Sequence, residues 1–205
     1  MQAARGTPIG ASGRVAGTHR YRWLFVAVAA TGAVLDVLTK ILAVASLTPA
    51  EPIRLLGGVL TLRLIRNPGA AFSLGEGVTP VFALLSASVL LFVVLRLVPR
   101  LGHPGWAVAM GLLCAGIAGN LTDRLLRQPG FMRGHVVDFL QLPHWPIFNV
   151  ADMCITASAT LIGVLSVVKN VGITGERYVS ESKPNRSAAG AAPVDKPISG
   201  EGPST

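Results

Sequence analysis

The chain has 205 residues, of which 51% are hydrophobic and only 14% are charged, and its formal net charge is +8. A soluble domain carries about 25% charged residues. The composition therefore indicates a membrane protein and argues against a soluble nucleic-acid-binding domain. Four apolar stretches are long enough to cross a bilayer, which takes about 20 residues. They cover 23–47, 78–98, 106–121 and 147–168.

The first apolar stretch follows a basic start, which is also the pattern of a cleaved signal peptide. Its apolar run is longer than the roughly 7–15 residues of a signal peptide, and Asp36 and Lys40 interrupt it, so we expect a membrane span. Asp36 and Lys40 are four residues apart and share one helix face. Two interpretations stay open for this pair: an ion pair that stabilises packing, or a pair that shapes a polar cavity.

The segment after the first span predicts a β-hairpin, with arms at 53–56 and 59–66 around a Gly57-Gly58 turn. In the second arm apolar and polar residues alternate, in the order Leu60, Thr61, Leu62, Arg63 and Leu64. One face of this arm should be apolar and the other polar. Such an element fits the outer membrane surface or the side of the helix bundle.

Span three is crowded with small residues, which let helices approach closely in lipid. They are Gly111, Ala115, Gly116, Ala118 and Gly119. The two cysteines, Cys114 and Cys154, fall inside apolar spans, so we expect them to pack in the core rather than to form a disulfide.

The positive charges are divided unevenly between the two sides of the membrane. Eleven Lys and Arg residues precede span one, join spans two and three, or follow span four, and six lie in the other connections. The positive-inside rule then places both termini in the cytoplasm. Residues 1–20 and 171–205 are polar or rich in small residues, so we predict flexible cytoplasmic extensions. The unusual polar residues all fall near the outer interface.

Two aspartates, Asp138 and Asp152, lie beside apolar segments without a dedicated cation. By contrast, Asp123 precedes Arg124, which predicts an interfacial ion-pair network that Asn120 can join from one turn away. Two carboxylates in a low-dielectric site share one proton. An aspartic protease uses this arrangement to activate water and to protonate the scissile carbonyl. Intramembrane aspartates also serve proton-coupled transport, so that interpretation stays open.

Five short motifs follow one another along residues 36–152. They are Asp36-Val37-Leu38-Thr39-Lys40, Asn67-Pro68-Gly69-Ala70-Ala71-Phe72, Gly119-Asn120-Leu121-Thr122-Asp123-Arg124, Val136-Val137-Asp138-Phe139 and Phe148-Asn149-Val150-Ala151-Asp152. In this order they closely resemble the motifs of the bacterial lipoprotein signal peptidase family, signal peptidase II. Any one motif would be weak, but five in order are specific.

The resemblance implies a four-helix aspartic peptidase of the bacterial inner membrane, with an extracytoplasmic β-cradle at about residues 50–76 and no metal or other cofactor. It implies that Asp138 and Asp152 are catalytic. It also implies a set of residues that line or brace the site, namely Asp36, Lys40, Asn67, Gly116, Asn120, Asp123, Arg124 and Asn149. The implied substrates are prolipoproteins whose cysteine already carries a diacylglyceryl group, cut just before that cysteine.

The predicted fold is therefore a membrane all-α protein with four transmembrane helices and a small β element, and its peptidase domain covers residues 21–170. We expect a monomer that contacts membrane lipids and no nucleic acid. The stretch before Asn120 is less glycine-rich than the family pattern, and the link from Arg124 to Gly134 is longer. The alternatives are a proton-coupled transporter and a non-enzymatic membrane scaffold; the Gly-x-Gly-Asp signature of presenilin-like proteases is absent. Which aspartate holds the proton stays open.

Overall fold

Four apolar helices form the body of the protein in the computed structural model, which describes residues 13–69 and 78–177. They are α1 (Gly13–Ser46), α2 (Thr79–Phe92), α3 (Pro104–Leu126) and α4 (Val150–Gly163). Wider π-helical turns extend α2 through Val93–Leu97 and α4 through Val164–Val168. With these extensions, each of the four helices is long and apolar enough to span a bilayer, which confirms the four predicted spans.

The end of α3 and the start of α4 differ from the predicted edges of spans three and four, and a polar side chain explains each difference. Span three was predicted to end at residue 121, but α3 continues to Leu126 because its last polar residues find bonding partners inside the protein. Span four was predicted to begin at residue 147, but α4 begins at Val150 because Asn149 caps it.

Helix α3 is the central helix of the bundle. It contacts α1, α2 and α4, and half of its apolar stretch is buried, against 22% or less in the other three. A Cβ added at Gly111 would lie 2.9 Å from the Cβ of Val28, and one added at Gly116 would lie 2.6 Å from Cγ1 of Ile155. The small residues of span three therefore allow α1 and α4 to approach α3 closely, as the sequence predicted.

A three-stranded antiparallel sheet lies at one end of the bundle, here called the sheet end. The predicted hairpin is present as β1 (Ile53–Leu55) and β2 (Leu60–Asn67), joined by a turn in which Gly57 and Gly58 have positive φ. A third strand, β3 (Val136–Gln141), pairs with β2 and was not predicted. Its first four residues are all buried, so the strand lacks the polar alternation that marks a half-exposed strand.

A β-bulge in β2 changes the predicted alternation. Leu62 pairs with Leu140 and Ile65 pairs with Asp138, so three residues on β2 match two on β3. Leu62 and Ile65 consequently face the same side, and Leu64 is buried on the other side, against the end of α1. The prediction that Leu60, Leu62 and Leu64 share one face fails at this bulge.

Part of each predicted extension has a regular conformation or hydrogen bonds within the described residues. Helix α1 already begins at Gly13. Residues 171–177 are bonded to the turn before α3, where Gly102 N donates to Ile173 O at 3.0 Å and Trp106 Nε1 donates to Val171 O at 2.9 Å. Residues 1–12, 178–205 and 70–77, with Ala70, Ala71 and Phe72 of the second motif, lie outside the described residues.

The close contact between α3 and α4 predicts a difference between two glycine substitutions. Gly116→Ala should destabilise the protein by about 1–3 kcal/mol, because the new Cβ meets Ile155 and the backbone of Ala151. Gly163→Ala on α4 has open space and should stabilise by up to about 1 kcal/mol. Thermal unfolding in detergent measures both, and equal midpoints for the two variants would contradict the proposed packing.

Candidate active site

Helix α4 begins with a reciprocal cap between Asn149 and Asp152. Oδ1 of Asn149 accepts from the backbone N–H of Asp152 at 3.0 Å, and Oδ2 of Asp152 accepts from the backbone N–H of Asn149 at 3.2 Å. The cap satisfies two N–H groups that a helix start otherwise leaves unpaired. It also fixes the Asp152 carboxylate at the positive end of α4, where negative charge is stabilised.

The side chain of Asn149 also reaches the second aspartate. Its Nδ2 donates to Oδ1 of Asp138 at 2.6 Å and to Oδ1 of Asn120 at 3.2 Å. Asn149 is fully buried. One asparagine therefore bonds to both Asp138 and Asp152 and holds the two carboxylates at one site.

The other oxygen of Asp138 is bound from the neighbouring strand. Asn67 Nδ2 donates to Oδ2 of Asp138 at 2.8 Å, and Asn67 Oδ1 accepts from the backbone N–H of Gly69 at 2.9 Å. Asn67 pairs with Val136 beyond the bulge, so it faces the same side of the sheet as Asp138. The bulge therefore sets the orientation of one of the two amides that hold Asp138.

Asn120 connects Asp152 to a buried lysine. Its Nδ2 donates to Oδ1 of Asp152 at 2.8 Å, and its Oδ1 accepts from Lys40 Nζ at 3.1 Å. Both oxygens of Asp152 thus accept hydrogen bonds, one from Asn120 and one from the cap. Asp152 remains half-buried, whereas Asp138 is buried.

The ammonium group of Lys40 is the centre of a buried ion cluster. Its Nζ lies 2.8 Å from Oδ2 of Asp36 and 2.9 Å from Oδ2 of Asp123, in addition to Asn120. Lys40 is 1% exposed and Asp36 is fully buried. An ammonium group has three donors, and here it has one hydrogen bond to Asn120 and two close carboxylate oxygens. The predicted Asp36–Lys40 pair is therefore present, and it belongs to the polar network of the site.

Asp36 and Asp123, the two acids that pair with Lys40, also accept hydrogen bonds from the backbone next to Asp152 and Asp138. Oδ1 of Asp36 accepts from the backbone N–H of Ala151 at 2.8 Å, and Oδ2 of Asp123 accepts from the backbone N–H of Val137 at 3.1 Å. Ala151 immediately precedes Asp152, and Val137 immediately precedes Asp138. The ion cluster therefore fixes the backbone next to each carboxylate.

The predicted ion pair between Asp123 and Arg124 is absent. Asp123 pairs with Lys40 and Arg127 instead, because neighbouring residues on a helix point about 100° apart and cannot meet. Arg124 Nη1 donates to the backbone oxygen of Asn120 at 3.1 Å, as the one-turn spacing predicted.

Two contacts at the site were missed in the sequence. Arg127 lies four residues after Asp123, so the i, i+4 rule was enough to suggest it. Phe82, on α2, lies 6.0 Å below the guanidinium of Arg124, within range of a cation–π contact. No pattern in the sequence connects these last two residues.

A cavity of about 270 Å³ opens over both aspartates. It is lined by Asn67, Gly69, Phe82, Arg124, Asp138, Pro146, Ile147, Phe148 and Asp152. A larger apolar groove of about 640 Å³ shares Phe148 and Asp152 with this cavity and runs along α4 to Val164. Within residues 13–69 and 78–177, no three His, Cys, Asp or Glu side chains come together as a metal site.

The pKa of Asp138 is raised to about 6, chiefly by burial and in part by the nearby charge of Asp152. Hydrogen bonds from Asn67 and Asn149 act in the opposite direction, because they favour the carboxylate. Asp138 therefore keeps its proton to a higher pH than an ordinary aspartic acid.

The structure brings most of the predicted site residues into one network of side-chain contacts. Its members are Asp36, Lys40, Asn67, Asn120, Asp123, Asp138, Asn149 and Asp152. Arg124 joins through the backbone of Asn120 and lines the cavity. Gly116 lies behind the site, where it lets the first turn of α4 approach α3.

Comparisons with known proteins agree with the five motifs. A family model described as signal peptidase (SPase) II matches residues 28–168. A lipoprotein signal peptidase of Rhodococcus jostii (strain RHA1) is 46% identical over 151 residues, which cover 74% of this chain and 76% of that protein. A lipoprotein signal peptidase of Mycobacterium avium (strain 104) is 46% identical over 144 residues, or 70% of this chain and 79% of that protein.

A solved structure described as a bacterial membrane enzyme, obtained by the in meso method at 1.9 Å resolution, has a similar fold. It matches with a TM-score of 0.63 and 26% identity over 70% of this chain and 92% of that chain. The range matched by the family model, 28–168, includes residues of all four membrane helices. The chain belongs to the signal peptidase II family of membrane peptidases.

Proposed function

We propose that this chain is a membrane-embedded aspartic endopeptidase. It removes signal peptides from diacylglyceryl-modified prolipoproteins and cuts N-terminal to the lipidated cysteine. Membership of the family supports the removal of signal peptides from prolipoproteins. The aspartic mechanism rests on the site itself.

The observation that carries the aspartic mechanism is the position of Asn149 between two carboxylates. Asn149 bonds to Asp138 through its side chain and to Asp152 through its backbone. Neither aspartate makes an ion pair within the described residues, whereas Asp36 and Asp123 both pair with Lys40. Amide donors orient a carboxylate without neutralising it, so Asp138 and Asp152 remain available for proton transfer.

The surroundings of the two aspartates assign them different roles. Asp138 is buried, with a pKa raised to about 6, so it holds a proton to a higher pH than an ordinary aspartic acid and acts as the acid. Asp152 is half-buried and caps the positive end of α4, which stabilises its negative charge. Asp138 is therefore assigned as the general acid and Asp152 as the general base.

The reaction needs two steps and no covalent enzyme intermediate. First, Asp152 takes a proton from water as the water oxygen bonds to the scissile carbonyl carbon, while Asp138 donates its proton to the carbonyl oxygen. The product is a neutral tetrahedral diol. Then Asp138 recovers a proton from one diol hydroxyl, Asp152 gives its proton to the amide nitrogen, and the C–N bond breaks. Both aspartates return to their starting states.

The groove along α4 supports a substrate that approaches from within the membrane. It is mostly apolar and meets the cavity at Asp152 and Phe148. A lipidated precursor keeps its acyl chains in the bilayer while its cut site reaches Asp138 and Asp152. Arg124 lines the cavity and is placed to bind the substrate backbone.

The distribution of positive charge supports a bacterial plasma membrane protein with both termini in the cytoplasm. The sheet end, with the active site, then lies at the outer face. The peptidase domain is residues 21–170, and one chain supplies both aspartates and the side chains that bond to them.

Removing either carboxylate should abolish most of the cleavage. For Asp138→Asn and Asp152→Asn we expect a fall of about 10²- to 10⁴-fold, because each variant loses one partner in proton transfer. The assay incubates purified protein with a lipidated prolipoprotein and detects the released signal peptide by gel and mass spectrometry. The new N-terminus should be the lipidated cysteine.

Glu51→Gln is the matched control, because it makes the same acid-to-amide change at an exposed residue outside the site. It should cleave at the wild-type rate. Full activity of either aspartate variant would refute the catalytic pair. Equal cleavage of an unlipidated precursor would refute the lipid requirement.

The proton on Asp138 should be visible by infrared spectroscopy. An ordinary aspartic acid loses its proton near pH 4, but the pKa of Asp138 is raised to about 6. The band of a protonated carboxyl group should therefore persist at pH 5 and disappear as the pH rises through about 6. Asp138→Asn should lack this band and Asp152→Asn should retain it; the opposite pattern would reverse the two roles.

A further inference from the structure

Four arginines at the sheet end take no part in the active site. Arg54, Arg63, Arg66 and Arg133 are exposed. Within the described residues none of them makes an ion pair or a side-chain hydrogen bond. Apart from the acids of the site, Glu51 is the one described acidic residue at this end of the bundle. The sheet end therefore presents a positive surface that the described residues do not neutralise.

The strand register places two of these arginines beside a membrane span. Arg54 aligns with Gln141 across the sheet and Arg66 pairs with Val137, so both lie on the face turned away from the active site. On that face Val137 packs against Ala43, near the end of α1. Arg54 and Arg66 thus lie on the sheet face that packs against the end of α1.

Two large apolar side chains of the sheet end are strongly exposed. Leu56, at the tip of the hairpin, is 77% exposed, and Phe131 is 74% exposed. Phe131 lies in a short loop that begins directly after the last residue of α3. That loop is closed at its base by hydrogen bonds of 3.0 Å from Gly134 N to Arg124 O and from His135 N to Gln128 O. Its tip therefore projects from the end of a membrane span.

Apolar tips next to unpaired cations are typical of segments that lie in the headgroup layer of a membrane. The apolar side chain enters the boundary of the acyl region and the cations attract anionic lipid. An acidic polypeptide would explain the arginines but not the exposed leucine and phenylalanine. Leu42, near the sheet end of α1, is itself 62% exposed on the surface of the bundle.

We propose that this outer rim is a docking surface for anionic phospholipid headgroups. The outer rim is defined as Arg54, Leu56, Arg63, Arg66, Phe131 and Arg133. Leu56 and Phe131 enter between lipids, and the arginines contact their phosphates. The rim lies next to β3 and the turn of the hairpin, so it fixes the depth of the active site relative to the bilayer. This role goes beyond peptide cleavage and does not depend on it.

The test measures the depth of position 131 in nanodiscs, where either side of the membrane is accessible. The full chain carries Cys114→Ala, Cys154→Ala and Phe131→Cys with a nitroxide label at position 131. Its discs contain phosphatidylcholine alone or a mixture with phosphatidylglycerol. In the mixed discs, oxygen dissolved in the bilayer should reach the label more readily than an aqueous nickel complex.

The arginines are tested by Arg54→Gln, Arg63→Gln, Arg66→Gln and Arg133→Gln combined in the same labelled chain. In the mixed discs this variant should lower the oxygen-to-nickel ratio by about twofold or more, since each cation near the surface adds attraction to anionic lipid. In phosphatidylcholine discs the two chains should match. Cleavage in detergent should also match, which shows that the variant is folded and separates this result from the peptidase assay.

Two results would overturn the proposal. The first is equal access of the nickel complex to the label in all discs and both chains, which would place the rim in water. The second is protection of the label that arises only when prolipoprotein is added, which would make the partner a polypeptide.

Discussion

A lysine buried among membrane helices must have its charge fully paired, and in this protein that requirement organises the rest of the site. Lys40 bonds to Asp36, Asp123 and Asn120. Leaving a buried charge without its partner costs roughly 3–5 kcal/mol, so these contacts strongly constrain α1 and α3. The two acids then bind the backbone just before Asp152 and Asp138. The same cluster that joins α1 to α3 therefore also fixes β3 and the start of α4.

Lys40 and Arg127, two described cations at the site, pair with the supporting acids and leave the two proposed catalytic aspartates without an ion pair. Asp138 and Asp152 instead receive hydrogen bonds from amides and from backbone. Such donors hold the carboxylates in place before substrate arrives, so little reorganisation is needed during the reaction. Small residues of α3 make room for this arrangement: a Cβ at Gly119 would lie 2.9 Å from Cγ of Asp36.

Much of this site follows from local rules, and the exceptions have physical causes. The four-residue spacing of Asp36 and Lys40 predicted their contact, and the five motifs pointed to the site residues that the fold brings together. The partner of Asp123 was mispredicted, because adjacent helical residues diverge and Arg127, one turn on, is the one that reaches it. Strand β3 was missed because a strand buried on both faces has no alternation.

The contacts between residues far apart in the chain could not be predicted from sequence patterns. The bulge that aims Asn67 at Asp138 depends on pairing between β2 and β3, which are far apart in the chain. The docking of residues 171–177 depends in the same way on Trp106, because their own composition predicts a flexible tail.

The central claim, that Asp138 and Asp152 activate water directly, is tested most directly by a single turnover in ¹⁸O-water with excess enzyme. The ¹⁸O label should appear in the new carboxyl group of the signal peptide and in neither aspartate. Label in Asp138 or Asp152 would indicate a covalent intermediate and contradict direct activation of water.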